Sequence, residues 1–319
     1  MARSLRIAQV APPLERVPPR AYGGTERVVH ELVSELDRRD HHVTTYASAD
    51  STVPGRLVAT IREPLRPAGY GGDTSGFFLN VVSRVLDDAR EFDLIHSHLE
   101  WFSGILARVS PVPVVATFHG RLDFPWAATT LAEPRLHRVA ISHNQARVHP
   151  DLPWTVVHNG LTLDRAPFER RRGDDFCFVG RVAPEKGIVE AIEIARRTGR
   201  RIRIAAKIGT APDERAYHDD VFLPALERAG SLVEFLGEIE ASERDRLFAE
   251  SYATLMPGAW PEPFGLVTIE SLACGTPVLA RRIGALPEIV RDGVDGFFGD
   301  DIAQLVYQAP QLATLDSER

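Results

Sequence analysis

Short apolar runs of strand length alternate with helical stretches along nearly the whole chain, and nothing else in it limits the fold more. LRIAQV (5–10) is followed by a Pro-rich loop and by TERVVHELVSELDRR (25–39), where Val28, Val29, Leu32, Val33 and Leu36 share one helical face. HVTTYA (42–47), a helix around 77–90, DLIHSH (93–98), VPVVATF (112–118), RVAISH (138–143) and WTVVHNG (154–160) continue the series. Strands separated by helices read as βαβ units in a parallel sheet. TLDRAPFERRRGDD (162–175) is polar, charged and aperiodic, and reads as a linker. The alternation restarts with FCFVGR (176–181), a helix from about 185, IRIAAK (202–207), a helix around 217–229 and LVEFLG (232–237). It ends with a helix around 243–250, YATLMP (252–257), a helix from about 265 and PVLARR (277–282). The expected fold class is α/β: two Rossmann-like domains, 1–163 and 164–319, facing a central cleft.

Bulk properties remove several function classes. A chain of 319 residues accommodates two ordinary domains. With 44% hydrophobic and 25% charged residues it is not a disordered sequence. No apolar run approaches the roughly 20 residues of a membrane-spanning helix. MARSLRIAQVAPP enters a strand directly, without the apolar core of a secretory signal, so a cytoplasmic location is expected. Cys177 and Cys274 lie in apolar contexts and read as small buried hydrophobes, not as a disulfide or zinc site. The net charge of −7 argues against a nucleic-acid partner. Residues 1–160 carry 17 basic and 17 acidic side chains, which puts the negative excess in the second half. Only two lysines, Lys186 and Lys207, stand against 35 arginines, which makes a lysine inside a motif noteworthy.

Ligands of an open parallel sheet bind beyond the carboxyl ends of its strands. In AYGGTERVV (21–29), Gly23 and Gly24 allow close backbone approach, and Thr25 is a candidate N-cap whose helix start offers free N–H groups to an anion. An ordinary glycine turn explains the same residues, and neither a G-x-G-x-x-G fingerprint nor a Walker loop is present. In FVGRVAPEKG (178–187), Arg181 leaves a strand end and Lys186 stands at the next helix start. A guanidinium fork and a point charge suit a diphosphate. In EPFGLVTIE (262–270), Glu262 lies in a loop and Glu270 within the first turns of a helix. Carboxylates accept from vicinal hydroxyls, and Phe264, Gly265, Leu266 and Val267 would turn backbone N–H groups towards a phosphate. As a bare pattern, the two acids also read as partners of the helix dipole. His119 follows a buried strand and suits hydrogen bonding to a sugar or proton transfer. His96 and His98 are expected on opposite strand faces, which does not favour a shared metal. Structural roles are expected for His96, His143 and His158.

YGGTERVV (22–29), ATFHG (116–120), HNGLTL (158–163), FVGRVAPEKG (178–187) and EPFGLVTIESLACGTPV (262–278) together make the chain resemble the retaining glycosyltransferases of family 4, with the GT-B fold. Glu262 and Glu270 with seven residues between them, after Arg181 and Lys186 in order, are the most specific part. RIAQVAPPLERVPPRAYGGTERVV (6–29) looks most like a bacterial subgroup described as UDP-glucose-dependent, one class of which glucosylates tetrahydrobiopterin. The resemblance implies a UDP-sugar donor, a small-molecule, glycan or glycolipid acceptor, and no metal or other cofactor. It implies catalytic roles for His119, Arg181, Lys186 and Glu262. Glu270 would grip the ribose, Glu262 the donor sugar, and Arg181 and Lys186 the diphosphate. Gly23 and Gly24 would close on the phosphates, and Gly237 and Glu238 would border the base. The loops at 11–22, 66–76 and 120–136 are expected to shape the acceptor pocket, with peripheral membrane contact compatible. Family members end in a helix that crosses back to the N-terminal domain, and QLATLDSER (311–319) stops short of one. A sugar-nucleotide epimerase or a nucleotide-sugar-binding protein without turnover are the competing readings.

Overall fold

A computed structural model describes residues 3–21, 23–163, 166–168 and 173–315. Tyr22 of the glycine motif, parts of the expected linker and the last four residues lie outside the described set. The chain divides into two compact units, Met1–Gly160 and Leu161–Arg319.

The first unit holds strands β1 (Arg6–Val10), β2 (His42–Ser48), β3 (Arg56–Ile61), β4 (Leu94–Ser97), β5 (Val114–Phe118), β6 (Leu136–Ala140) and β7 (Trp154–Val156). Its helices are α1 (Gly24–Arg38), α2 (Ser75–Asp88), α3 (Phe102–Val109), α4 (Ala127–Leu131) and α5 (His143–Ala146). The sheet runs β3-β2-β1-β4-β5-β6-β7, with every pairing parallel. Val29 and Val33 of α1 are buried with Leu36 packed beside them, while α2 and α3 bury Val81, Val85 and Leu106 against β1, β4 and β5. Burial on both faces explains why the central strands β1 and β5 are nearly apolar runs without alternation.

The second unit repeats the plan with β8 (Phe176–Val182), β9 (Ile202–Ile208), β10 (Val233–Gly237), β11 (Ala253–Met256), β12 (Val278–Arg281) and β13 (Gly296–Gly299). Its helices are α6 (Ile188–Thr198), α7 (Pro212–Tyr217), α8 (Leu223–Ala229), α9 (Ala241–Ala249), α10 (Leu266–Ala273), α11 (Leu286–Ile289) and α12 (Ile302–Gln308). The strands run β10-β9-β8-β11-β12-β13, again all parallel. Cys177 and Cys274 are buried and free. No helix among the described residues is long and apolar enough to cross a membrane.

Several local expectations are corrected. Helix α1 begins at Gly24 with Gly23 before it, so Thr25 is not the N-cap; Gly23 packs against Pro19 and turns the chain two residues earlier. Lys186 closes a short 3-10 turn, Pro184–Lys186, and α6 starts only at Ile188 because Gly187 stands between them at φ 73°. The helix expected around 217–229 is α7 and α8 joined by a π-turn, His218–Phe222; Pro224 offers no N–H to the carbonyl four residues earlier. His96 and His98 share one face, with stacked rings 4.5 Å apart, since side chains two positions apart on a strand point the same way.

Candidate active site

In each sheet the strand order reverses at one place, between β1 and β4 in the first unit and between β8 and β11 in the second. The loops leaving such a pair of strands diverge and open a crevice at their carboxyl ends, where α/β folds bind ligands.

In the first unit, β1 leads through the Pro-rich loop to Gly23 and Gly24 at the start of α1, β4 leads to His98 and Glu100, and β5 leads to His119. Beneath these ends runs a chain of hydrogen bonds. His119 Nε2 lies 2.9 Å from His98 Nδ1, and His98 Nε2 is 3.0 Å from Gln9 Oε1. Gln9 Nε2 is 3.3 Å from His96 Nδ1, and His96 Nε2 is 2.8 Å from Thr117 Oγ1. Burial holds the rings neutral: it lowers His96 to about 4, His119 to about 3 and His98 well below the ordinary value.

Glu100, in the left-handed region at φ 49°, reaches under the His119 loop. Its Oε1 accepts from the backbone N–H of His119 at 2.8 Å and of Gly120 at 3.1 Å, while Oε2 is buried without a hydrogen-bond partner. Burial outweighs the two N–H donors and raises this carboxyl to about 7. A single glutamate in SHLEW carries no periodic or motif signal, and neither does Gln9 within LRIAQV.

In the second unit, Arg181 stands near the end of β8, with Nη1 2.5 Å from Glu214 Oε1, Nη2 2.9 Å from Glu185 Oε1, and a buried Nε without a partner. Lys186 is ion-paired with Glu262 from the loop after β11. Two glycines bring these loops together. A side chain on Gly187 would fall 2.6 Å from the backbone nitrogen of Gly258, and one on Gly258 would fall 2.5 Å from the carbonyl of Glu185. Gly187 also needs its left-handed φ, so both its conformation and its neighbour exclude other residues. The carbonyl of Glu262 accepts from Ala285 N–H at 3.0 Å, which fixes the loop from the β12 side.

Phe264 is buried, and Gly265, at φ 96°, turns the chain into α10, whose first residues are Leu266 and Val267. The opening N–H groups of a helix have no carbonyl within the helix to bond. Glu270, 5% exposed, lies one turn on, its Oε1 3.6 Å from Arg244 Nη1 of α9. Arg244, which no motif announced, also holds Asp245 at 2.7 Å. The underside of α10 is tied to the sheet: Ser271 Oγ is 2.7 Å from Thr254 Oγ1 and donates to the Thr276 carbonyl at 2.8 Å. Gly237 and Glu238 stand at the end of β10, beyond β9, where Glu238 faces Lys207 at 3.8 Å. The second unit thus groups Arg181, Lys186 and Glu262 at its strand reversal, Glu270 on the adjoining helix, and Gly237 and Glu238 two strands away. Two cations and a helix N-terminus beside carboxylates can hold a diphosphate that carries hydroxylated rings.

Comparisons with known proteins agree with this chemistry. The family model for glycosyl transferases group 1 matches residues 163–305, and that for glycosyltransferase family 4 matches residues 22–165. A D-inositol 3-phosphate glycosyltransferase from Mycolicibacterium paratuberculosis is 31% identical over 328 residues, covering 86% of this chain and 73% of that protein. A glycogen synthase from Mycobacterium tuberculosis is 28% identical over 338 residues, covering 88% of this chain and 79% of that protein. The crystal structure of AviGT4, a glycosyltransferase involved in avilamycin A biosynthesis, is similar with a TM-score of 0.70 at 26% identity, over 98% of this chain and 90% of that one. The chain belongs to the family 4 glycosyltransferases of the GT-B fold and is an enzyme that takes a nucleotide sugar as donor.

Proposed function

We propose that the protein is a retaining glycosyltransferase that moves a hexose, glucose from UDP-glucose, to a small-molecule, glycan or glycolipid acceptor. The carrying observation is the grouping of Arg181, Lys186 and Glu262 at the β8/β11 reversal beside the N-terminus of α10. Uridine and glucose follow from the likeness of residues 6–29 to a UDP-glucose-dependent bacterial subgroup.

In the second unit, Arg181, Lys186 and the N–H groups of Gly265, Leu266 and Val267 bind the diphosphate. Glu270 holds the ribose hydroxyls, Glu262 the hydroxyls of the hexose, and Gly237 and Glu238 border the base. In the first unit, Gly23 and Gly24 are assigned to the phosphates and His119 to the donor sugar. When the bond between the anomeric carbon and the phosphate oxygen breaks, negative charge grows on the β-phosphate and the sugar gains oxocarbenium character. Preorganised cations and helix N–H groups stabilise that charge. The acceptor oxygen bonds the anomeric carbon from the face the phosphate leaves, and a phosphate oxygen takes the acceptor's proton. Positive charge comes from Arg181 and Lys186 in this reading, which calls for no divalent metal.

The test is UDP release from UDP-glucose across a panel of acceptors, with the anomeric configuration of the product read by NMR. Acceptor-dependent release with an α-linked product is expected. Tight donor binding with no turnover on any acceptor would overturn the reading in favour of a binding protein.

A further inference from the structure

The hydrogen bonds beneath β1, β4 and β5 have a direction, and it reaches His119. Gln9, fully buried, has one donor end and one acceptor end. Its N–H group points at His96 Nδ1, which leaves the hydrogen of His96 on Nε2, facing Thr117 Oγ1. Its Oε1 only accepts, so His98 Nε2 carries the hydrogen of that ring. A neutral imidazole has a single N–H, so His98 Nδ1 is bare and accepts from His119 Nε2–H at 2.9 Å. His119 Nδ1 is then a lone pair, without a partner among the described residues.

We infer that Gln9 and His98 are positioning residues that lock His119 as the Nε2–H tautomer, so that its Nδ1 accepts a hydrogen bond from a hydroxyl of the bound sugar. The consequence rests on the assignment of His119 to the donor sugar; the tautomer does not. A sugar hydroxyl donates to that lone pair, whereas a ring position carrying hydrogen leaves it unpaired and a carboxylate is repelled by it. The locked ring thereby selects a neutral, hydroxylated hexose over a deoxy or acidic one at the contacted position.

Long-range proton–nitrogen NMR of the uniformly labelled full chain at pH 7.5 tests this, with His119→Gln identifying the ring. A protonated Nε2 and an unprotonated Nδ1 are expected, and an Nδ1–H tautomer or an imidazolium would overturn the inference. His98→Leu should convert His119 to a mixture of tautomers and lower kcat/KM for UDP-glucose roughly tenfold, about the worth of one hydrogen bond. His98→Asn, whose Oδ1 sits where Nδ1 stood, should restore the single tautomer and part of the activity. A mere packing role for His98 would leave the His119 tautomer unchanged in His98→Leu, which also overturns the inference. Should His98→Leu fail to fold, the wild-type spectrum decides alone. A chain that transfers nothing but shows the expected tautomer defeats the donor reading; an active enzyme with the opposite tautomer defeats only this inference.

Discussion

Individual side chains set the electrostatics of the site. Lys186 pairs with Glu262, and both side chains are largely covered. If Lys186 stabilises the departing phosphate, Lys186→Ala slows kcat by about 10²–10³, the cost of removing one preorganised charge partner, as measured by UDP release at saturating donor. Glu270→Ala acts on binding instead. Arg244 retains Asp245, so the fold survives, and the KM for donor rises roughly 10- to 100-fold with the loss of a charge-assisted hydrogen bond. Glu262, Glu270, Arg181 and Lys186 are legible along the sequence because they fall in short motifs. Glu100, Gln9 and Arg244 are not, because their partners lie 19, 89 and 26 positions away and no local pattern marks them.

Elements place these side chains. Gly187 and Gly258 let the loops after β8 and β11 touch backbone to backbone, and that contact brings Lys186 to Glu262. Gly187→Ala strains a left-handed position and pushes the loops apart, so we expect at least about a tenfold fall in kcat/KM together with a loss of roughly 1–3 kcal/mol, measured by urea unfolding. Helix α10 rests on Ser271, buried between Thr254 and the Thr276 carbonyl. Ser271→Ala leaves buried polar groups unpaired and costs about 1–3 kcal/mol in the same measurement. Most strands and the longer helices are readable from apolar runs, but β3, β13 and the core helices α3 and α12 are not among the sequence expectations. Strand β3 is an edge strand with only one buried residue, and GFFG in β13 is too short to show a period.

Across the whole molecule, two parallel sheets each carry their own core, and the first contains two carboxyls that burial lifts to about 7, Glu26 and Glu100. A carboxyl raised above its unfolded value binds its proton more tightly in the folded state. Its contribution is therefore fully present below about pH 4.5 and is lost as pH rises through about 7. Glu26→Gln removes one such group, so the variant gains on the wild type between pH 5 and pH 8 by roughly 1–3 kcal/mol in urea unfolding. Charge stabilisation by Arg181, Lys186 and the N–H groups of α10, with no divalent metal, predicts that UDP release survives EDTA undiminished. By itself the sequence determined the βαβ alternation, the two-unit plan and the motif residues, because burial of a parallel sheet on both faces and the chemistry of strand-end loops leave local signatures. Only the tertiary structure decided which strands meet at each reversal, that two glycines close Lys186 onto Glu262, and that Gln9 and His98 stand behind His119. Those are contacts between distant segments, made by backbone approach and hydrogen-bond direction, and neither leaves a periodic trace along a chain.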